Sequence, residues 1–426
     1  MSLYAATCTL VSMLKKSHVC LAWAVSALVT TSGGLTQDYG TKPKITMDEA
    51  HPIWTAADRS KTGLPVWPDM PLGALKTRSG EFLCFGPGSK GKPQTIGTYT
   101  LQSDLNNFRL CTSDGSINPQ PSMHIGAIQP SPDGNNFDRD YAGGGPVYAL
   151  NTNGSLTGQY DGRTPVVLVY HGEFHWYGPG LGQLGGTGLA ISKDGGRSFT
   201  KLGAILLPHV TNQECRDAHR NAYADGSLVE ADENGEPIDF HSGGKNRLSD
   251  IYWYSIFSDP QTFDRRWGFG IARVKRSEAV AALSQNRSPQ FRKYFAGKWT
   301  EKGIGGESSF VVFEPEHYIA TPQVHYSPYL KKFVLIYQQD QNSVWMRTAS
   351  NLLNWSEPVL LHRVGAVDQV TGEPKKLFYP SIIGVGEDPN SIGRDFNLFC
   401  VTGPVTNQMN VWKHGALLRK VVSFAD

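Results

Sequence analysis

The chain has 426 residues, 46 of them Gly and 26 Pro, with only 18% charged and a formal charge of +2. Gly and Pro both weaken helix interiors, so this content excludes long bundles and coiled coils. The polarity excludes a multi-span membrane protein, and 11% aromatics exclude a disordered one, leaving many short strands joined by tight turns.

Lys15 and Lys16, the apolar run from Val19 to Val29, and the small residues Thr30 to Gly34 read as an export signal over residues 1–34. Met13 is an alternative start, and a retained anchor is the competing reading of a run too short to span a bilayer comfortably. A secreted or periplasmic protein is expected, with no membrane span after signal removal. Removing 1–34 takes two lysines and no acid, leaving 38 basic against 38 acidic residues. A neutral chain without basic runs lacks the electrostatic footprint for nucleic acid. Cys84, Cys111, Cys215 and Cys400 remain; they allow three full pairings, Cys84 with Cys111 being the most local. Buried thiols are the alternative, and no Cys/His spacing points to zinc.

Residues 35–65 are polar and predicted to be extended, and 66–426 form a single domain. Strands are predicted at Glu81–Gly86, Thr95–Leu101, Pro146–Leu150, Val166–His171, Thr187–Ile191, Asp250–Phe257, Gly268–Val274, Ala320–Ser327, Lys332–Tyr337, Val344–Thr348, Phe396–Val401 and Met409–Trp412. Each is short, rich in β-branched and aromatic residues, and bounded by turn formers. One helix is predicted at Ser277–Gln285, with Ser277 as its N-cap.

Ser192-Lys193-Asp194-Gly195-Gly196-Arg197-Ser198-Phe199 matches Ser-x-Asp-x-Gly-x-Ser/Thr-Trp/Phe. It resembles the Asp box of sialidases and related β-propellers. In such a turn the Asp carboxylate accepts backbone N–H groups, Gly196 takes a conformation closed to most residues, and Phe199 packs between strands. Looser versions occur at Ser103–Phe108, Ser131–Phe137 and Ser350–Trp355. Units of about 66–118, 119–204, 212–300, 316–362 and 377–424 follow, predicting a five-bladed β-propeller. Its size and turns are similar to propellers of the arabinanase, xylosidase and invertase type; a six-bladed sialidase-like fold is the alternative. The Phe/Tyr-Arg-Ile-Pro opening of sialidases is absent.

In a propeller, side chains at the start of each inner strand face a shared pocket. Such positions offer Asp69, His124, Glu214, Asp217, Arg220, Gln323, His325 and Tyr379. Asp69, in Trp67-Pro68-Asp69, resembles the first-blade Asp that acts as base or nucleophile in arabinanase- and invertase-type enzymes. His171, Glu173 and His175 should share one face of a continued strand, with Tyr170, Phe174 and Trp176 on the other. Outer members of that strip stand about 13 Å apart, which argues against one metal ion and for a substrate-facing strip, Glu173 serving as acid or pKa modulator. Trp176 would stack on a sugar face.

These features predict an enzyme of glycoside hydrolase type acting on a poly- or oligosaccharide, a monomer needing no cofactor. Asp69 and Glu173 are the principal carboxylates, Glu214 or Asp217 the third, and His124, His171, His175, Trp176, Arg220, Gln323, His325 and Tyr379 bind substrate. An axial Ca²⁺ is compatible with this reading but is not specified. A non-catalytic glycan-binding propeller and a polysaccharide lyase are the alternatives.

Overall fold

The computed structural model describes residues 42–62, 70–87, 98–105, 108–110, 136–178, 182–196, 198–238, 251–260, 267–367, 375–405, 411 and 414–425. The expected signal segment, Asp69, Cys111, His124, the Ser131–Phe137 turn up to residue 135 and most of the Met409–Trp412 run lie outside these residues.

Strands β1 (Ile45–Met47) and β2 (His51–Trp54) precede a short helix, α1 (Ala56–Thr62). The first sheet is built from β3 (Gly73–Thr77), β4 (Phe82–Pro87), β5 (Thr98–Ser103) and β6 (Phe108–Leu110). Then β7 (Tyr141–Leu150) and β8 (Leu156–Thr157) open the second sheet, and β9 (Gln159–Tyr160) crosses to lie parallel to β3. Strands β10 (Val166–His175), β11 (Gln183–Ser192) and β12 (Thr200–Leu206) complete the second sheet.

After α2 (Asn212–Ala218), the third sheet comprises β13 (Gly226–Ala231), β14 (Tyr252–Pro260) and β15 (Trp267–Lys275). Helix α3 (Arg276–Ser284) follows, and β16 (Arg292–Phe295), β17 (Lys298–Lys302) and β18 (Val312–Phe313) extend that sheet. The fourth sheet is β19 (Ile319–Ser327), β20 (Lys332–Gln339), β21 (Ser343–Ala349) and β22 (Val359–Arg363). The fifth contains β23 (Lys375–Gly384), β24 (Asp395–Pro404) and β25 (Ala416–Phe424). Its edge is taken by β1 and β2, which both pair antiparallel with β25. The segment expected to be merely extended therefore completes the last sheet and carries a helical turn.

Neighbouring sheets meet in chain order. Contacts run from β3 to β7, β10 to β13, β13 to β19, β19 to β23, and β23 back to β3. The core is correspondingly divided into layers between sheets. On β20, Phe333, Leu335 and Tyr337 pack toward the third sheet, while Val334 and Ile336 pack toward the fifth. On β10, Val167 and Val169 join the third sheet's residues, and Val166, Leu168 and Tyr170 join those of the first. Period-two alternation with both faces buried is why these strands read as unbroken apolar runs.

The Ser192–Phe199 turn is held by its own side chains. Asp194 Oδ1 accepts from Ser192 Oγ at 2.7 Å and from Ser198 N at 2.9 Å, and Ser192 Oγ accepts from Gly196 N at 2.7 Å. Gly195 and Gly196 both have φ near +80°, which excludes most side chains. Buried Phe199 meets Phe85 of the first sheet edge-on, at 6.2 Å between centroids. The N-cap of helix α3 lies two residues earlier than expected. Lys275, not Ser277, occupies the N-cap position, without a side-chain cap bond. Cys84, Cys215 and Cys400 are buried, and no disulfide joins them to one another.

Candidate functional site

Strand register gathers one group of side chains at the end of the second sheet where β10 finishes. Antiparallel pairing sets Glu173 opposite Tyr141 at the start of β7 and His175 opposite Gln183 at the start of β11. The segment before β13 is laced to the same end, since Ala222 N donates to Gln183 O and Gly185 N donates to Ala222 O. That places Tyr223 and Asp225 beside His171. A β-carbon at Gly185 would stand 2.8 Å from the His171 ring and 2.5 Å from Tyr223, so only glycine admits this packing.

The result is a chain of charges. Asp225 Oδ1 meets His171 Nδ1, and His171 Nε2 donates to Glu173 Oε1 at 2.9 Å. Glu173 Oε2 accepts from His175 Nε2 at 2.6 Å and from Gln183 Nε2 at 3.1 Å. The Tyr223 hydroxyl donates to Gln183 Oε1. Burial would raise the Glu173 pKa, but hydrogen bonds and charge from His171 and His175 outweigh it and bring the value down to about 2. Burial likewise favours neutral His171, yet the Asp225 and Glu173 carboxylates hold its pKa well above the ordinary range. Glu173 is thus held as a carboxylate at neutral pH, the state suited to a base, a nucleophile or a charge-setting neighbour.

Aromatic rings line this end. The rings of Tyr141 and Tyr223 lie 6.1 and 5.9 Å from that of His171. Tyr223 then neighbours Trp267 at 6.3 Å, and Trp267 meets Tyr318 edge-on at 5.1 Å. Beyond β10, Trp176 lies beside Phe174, and its indole N–H donates to Asn212 O at 2.9 Å.

The remaining expected residues are distributed differently. Glu214 sits in α2, where it forms a capping box with Thr211. Its Oε2 accepts from Thr211 N at 2.6 Å and from Thr211 Oγ1 at 2.8 Å. Asp217 accepts from Gln213 Nε2 at 2.8 Å, and Arg220 lies exposed just past the helix. The third sheet's first strand begins at Gly226 rather than near 212, so Asp225 holds the position that the sequence reading gave to Glu214 and Asp217. Gln323 and His325 line a small cavity with Tyr148, Ser227, Ile382 and Asn390. Burial brings the His325 pKa down to about 4, against the opposing bond to Asn390 O. Tyr379 lies on β23 at a register shift, with φ of +53°, matched by Thr321 at +52° on β19.

The cavity around Gln323 and His325 offers amide and hydroxyl oxygens and one imidazole but no carboxylate, a donor set that does not build the six to eight oxygen ligands of Ca²⁺. Among the described residues no group of three or more His, Cys, Asp and Glu is placed to hold a metal ion. Residues missed in the sequence are Asp225, Gln183, Tyr223 and Trp267. Only period-two alternation in β11 could have pointed to Gln183, while Asp225 is joined to His171 across two sheets.

No family model matches the chain, and no curated protein matches it. Solved structures align over most of its length. An α-L-arabinofuranosidase from Podospora anserina in complex with cellotriose is 9% identical, with TM-score 0.47, covering 91% of this chain and 98% of that one. The catalytic domain of a GH62 α-L-arabinofuranosidase from Coprinopsis cinerea is 9% identical, with TM-score 0.45 and coverages of 89% and 96%. An α-L-arabinanase from Penicillium chrysogenum complexed with arabinobiose is 10% identical, with TM-score 0.40 and coverages of 89% and 99%. With TM-scores below 0.5, these overlaps carry no weight for fold or activity.

Proposed function

We propose that the chain is a five-bladed β-propeller acting as a glycoside hydrolase on a poly- or oligosaccharide, exported and monomeric. The observation that carries this reading is the Asp225–His171–Glu173–His175 chain, an ionised carboxylate held by imidazoles among tyrosine and tryptophan rings. Five sheets meeting in sequence, the last neighbouring the first, support the blade count. Hydrolysis of a glycosidic bond needs a second carboxyl group that is protonated when the first is ionised. Glu173 is the ionised member, with its charge set by His171 and His175. The imidazole of His171 fills the space between Glu173 and Asp225, so those two do not flank a sugar; Asp69, by its resemblance to the first-blade base or nucleophile of arabinanase-type enzymes, is kept as the other principal carboxylate. Incubation of the purified protein with a glycan panel, read by mass spectrometry, is the test. Glu173→Gln and Asp69→Asn should each abolish product release, and undiminished cleavage by both variants would sink the assignment.

A non-catalytic glycan-binding propeller is favoured by one feature: both Glu173 oxygens are already engaged by three donors. It predicts saturable binding of a glycan that is recovered intact.

A further inference from the structure

Immediately past the end of β10, two large aromatic side chains are held in the open. Trp176 is 36% exposed and Tyr177 47%. Neither is loose. Trp176 N donates to Gly182 O at 3.2 Å, closing the loop that carries both residues, and the indole N–H is tied to Asn212 O. The Arg216 guanidinium lies over the indole at 4.9 Å, and the Tyr177 ring stacks on His219 at 4.6 Å with an interplanar angle of 12°. A β-carbon at Gly182 would stand 2.9 Å from the Tyr177 ring, so the loop backbone also presses against that ring. Helix α2, which supplies Arg216 and leads into His219, is fixed by buried Cys215 packing with Leu184, Val210 and Ala222.

Exposed aromatic planes pinned by cation–π and stacking contacts are a costly arrangement for a surface without a ligand, and they suit the apolar C–H face of a sugar ring. Charge then narrows the choice of sugar. The acidic residues of α2 are turned to other partners, Glu214 to Thr211 and Asp217 to Gln213, while the guanidinium of Arg216 lies on the indole face. A guanidinium beside an aromatic plane is matched to a ring that carries its own carboxylate. Trp176 follows Glu173 by three residues, a span of about 10 Å along an extended strand. The platform thus stands close to the candidate site along the chain, on the side of Phe174.

We propose that Trp176, Tyr177 and Arg216 form a binding subsite for a uronate-bearing glycan, the rings stacking on sugar faces and Arg216 pairing with the carboxylate. This rests on the carbohydrate reading of the neighbouring site, but binding alone tests it. Calorimetry would compare a hexuronate oligomer (oligogalacturonate) with the same oligomer after its carboxyls are reduced to primary alcohols. The uronate should bind the wild-type protein more tightly. Arg216→Gln should weaken uronate binding at least about tenfold more than it weakens binding of the reduced chain, the worth of one charge-assisted hydrogen bond. Trp176→Ala and Tyr177→Ala should weaken both, each variant being checked for wild-type thermal unfolding. Equal affinity for the two oligomers, no binding of either, or an unchanged uronate affinity in Arg216→Gln would overturn the proposal. Binding that follows this pattern without any cleavage would leave the subsite standing and remove only the hydrolase reading.

Discussion

Replacing Glu173 by Gln isolates the charge at the centre of the candidate site while nearly preserving its shape. In the folded protein the carboxyl titrates at about 2 instead of its ordinary 4.5, because two imidazoles and an amide donate to it despite its burial. A difference of that size corresponds to about 3 kcal/mol favouring the ionised form. Gln accepts through one oxygen only, and its amide N–H₂ would face donors, so Glu173→Gln should lose most of that amount and lower Tm by several degrees. The pH dependence follows from the two shifts. A carboxyl with a lowered pKa stabilises the fold above about pH 4.5 and loses that contribution as pH falls toward 2. His171, with a raised pKa, contributes fully below its ordinary 6.5 and loses its share as pH rises through its folded value. The stability gap between wild type and variant should therefore plateau near pH 5–6 and narrow on both sides. Urea unfolding across pH 3–9 measures it. A flat gap would mean that the Glu173 carboxyl is unshifted, and one that widens toward acid that its pKa is raised; either result would show that the charge chain is misassigned.

Two other outcomes are expected. Burial raises the Glu230 pKa to about 7, against Arg276 at 3.8 Å and the Trp253 indole N–H at 3.0 Å. Its contribution to stability is full below about pH 4.5 and lost as pH rises through 7, a change of about 3 kcal/mol. Glu230→Gln should flatten that slope in denaturant titrations; an unchanged slope would show that another group produces it. Trp54→Ala removes a buried ring where β2 joins the layer between the first and fifth sheets and should cost about 3–5 kcal/mol by thermal or urea unfolding. A loss under about 1 kcal/mol would show that β1 and β2 are dispensable to the fold.

What the sequence revealed follows from how local each signal is. Val166–Tyr170 and Phe333–Tyr337 are legible as strands because both faces are buried, and the strip of His171, Glu173 and His175 because alternation is a property of one strand. Thr211 and Glu214 form a capping box spelled out in four consecutive residues, Thr-Asn-Gln-Glu. That signal was available, but the segment reads as polar loop when only apolar periodicity is weighed. Asp225 is different in kind. Its pairing with His171 depends on hydrogen bonds that lace residue 222 to residues 183 and 185, a register that no local pattern encodes. The pairing of β1 and β2 with β25 was hidden for the same reason.

That pairing has a consequence for how the chain acquires its structure. Four of the sheets are built mainly from hairpins between successive strands, so they can form as the chain is synthesised. The fifth cannot, because Ile45–Trp54 must wait for Ala416–Phe424, nearly the whole length of the polypeptide later. Until then β1 and β2 remain unpaired strands, open to association with other chains. The slowest step of folding should therefore be the joining of these distant segments, and aggregation should compete most strongly just before it.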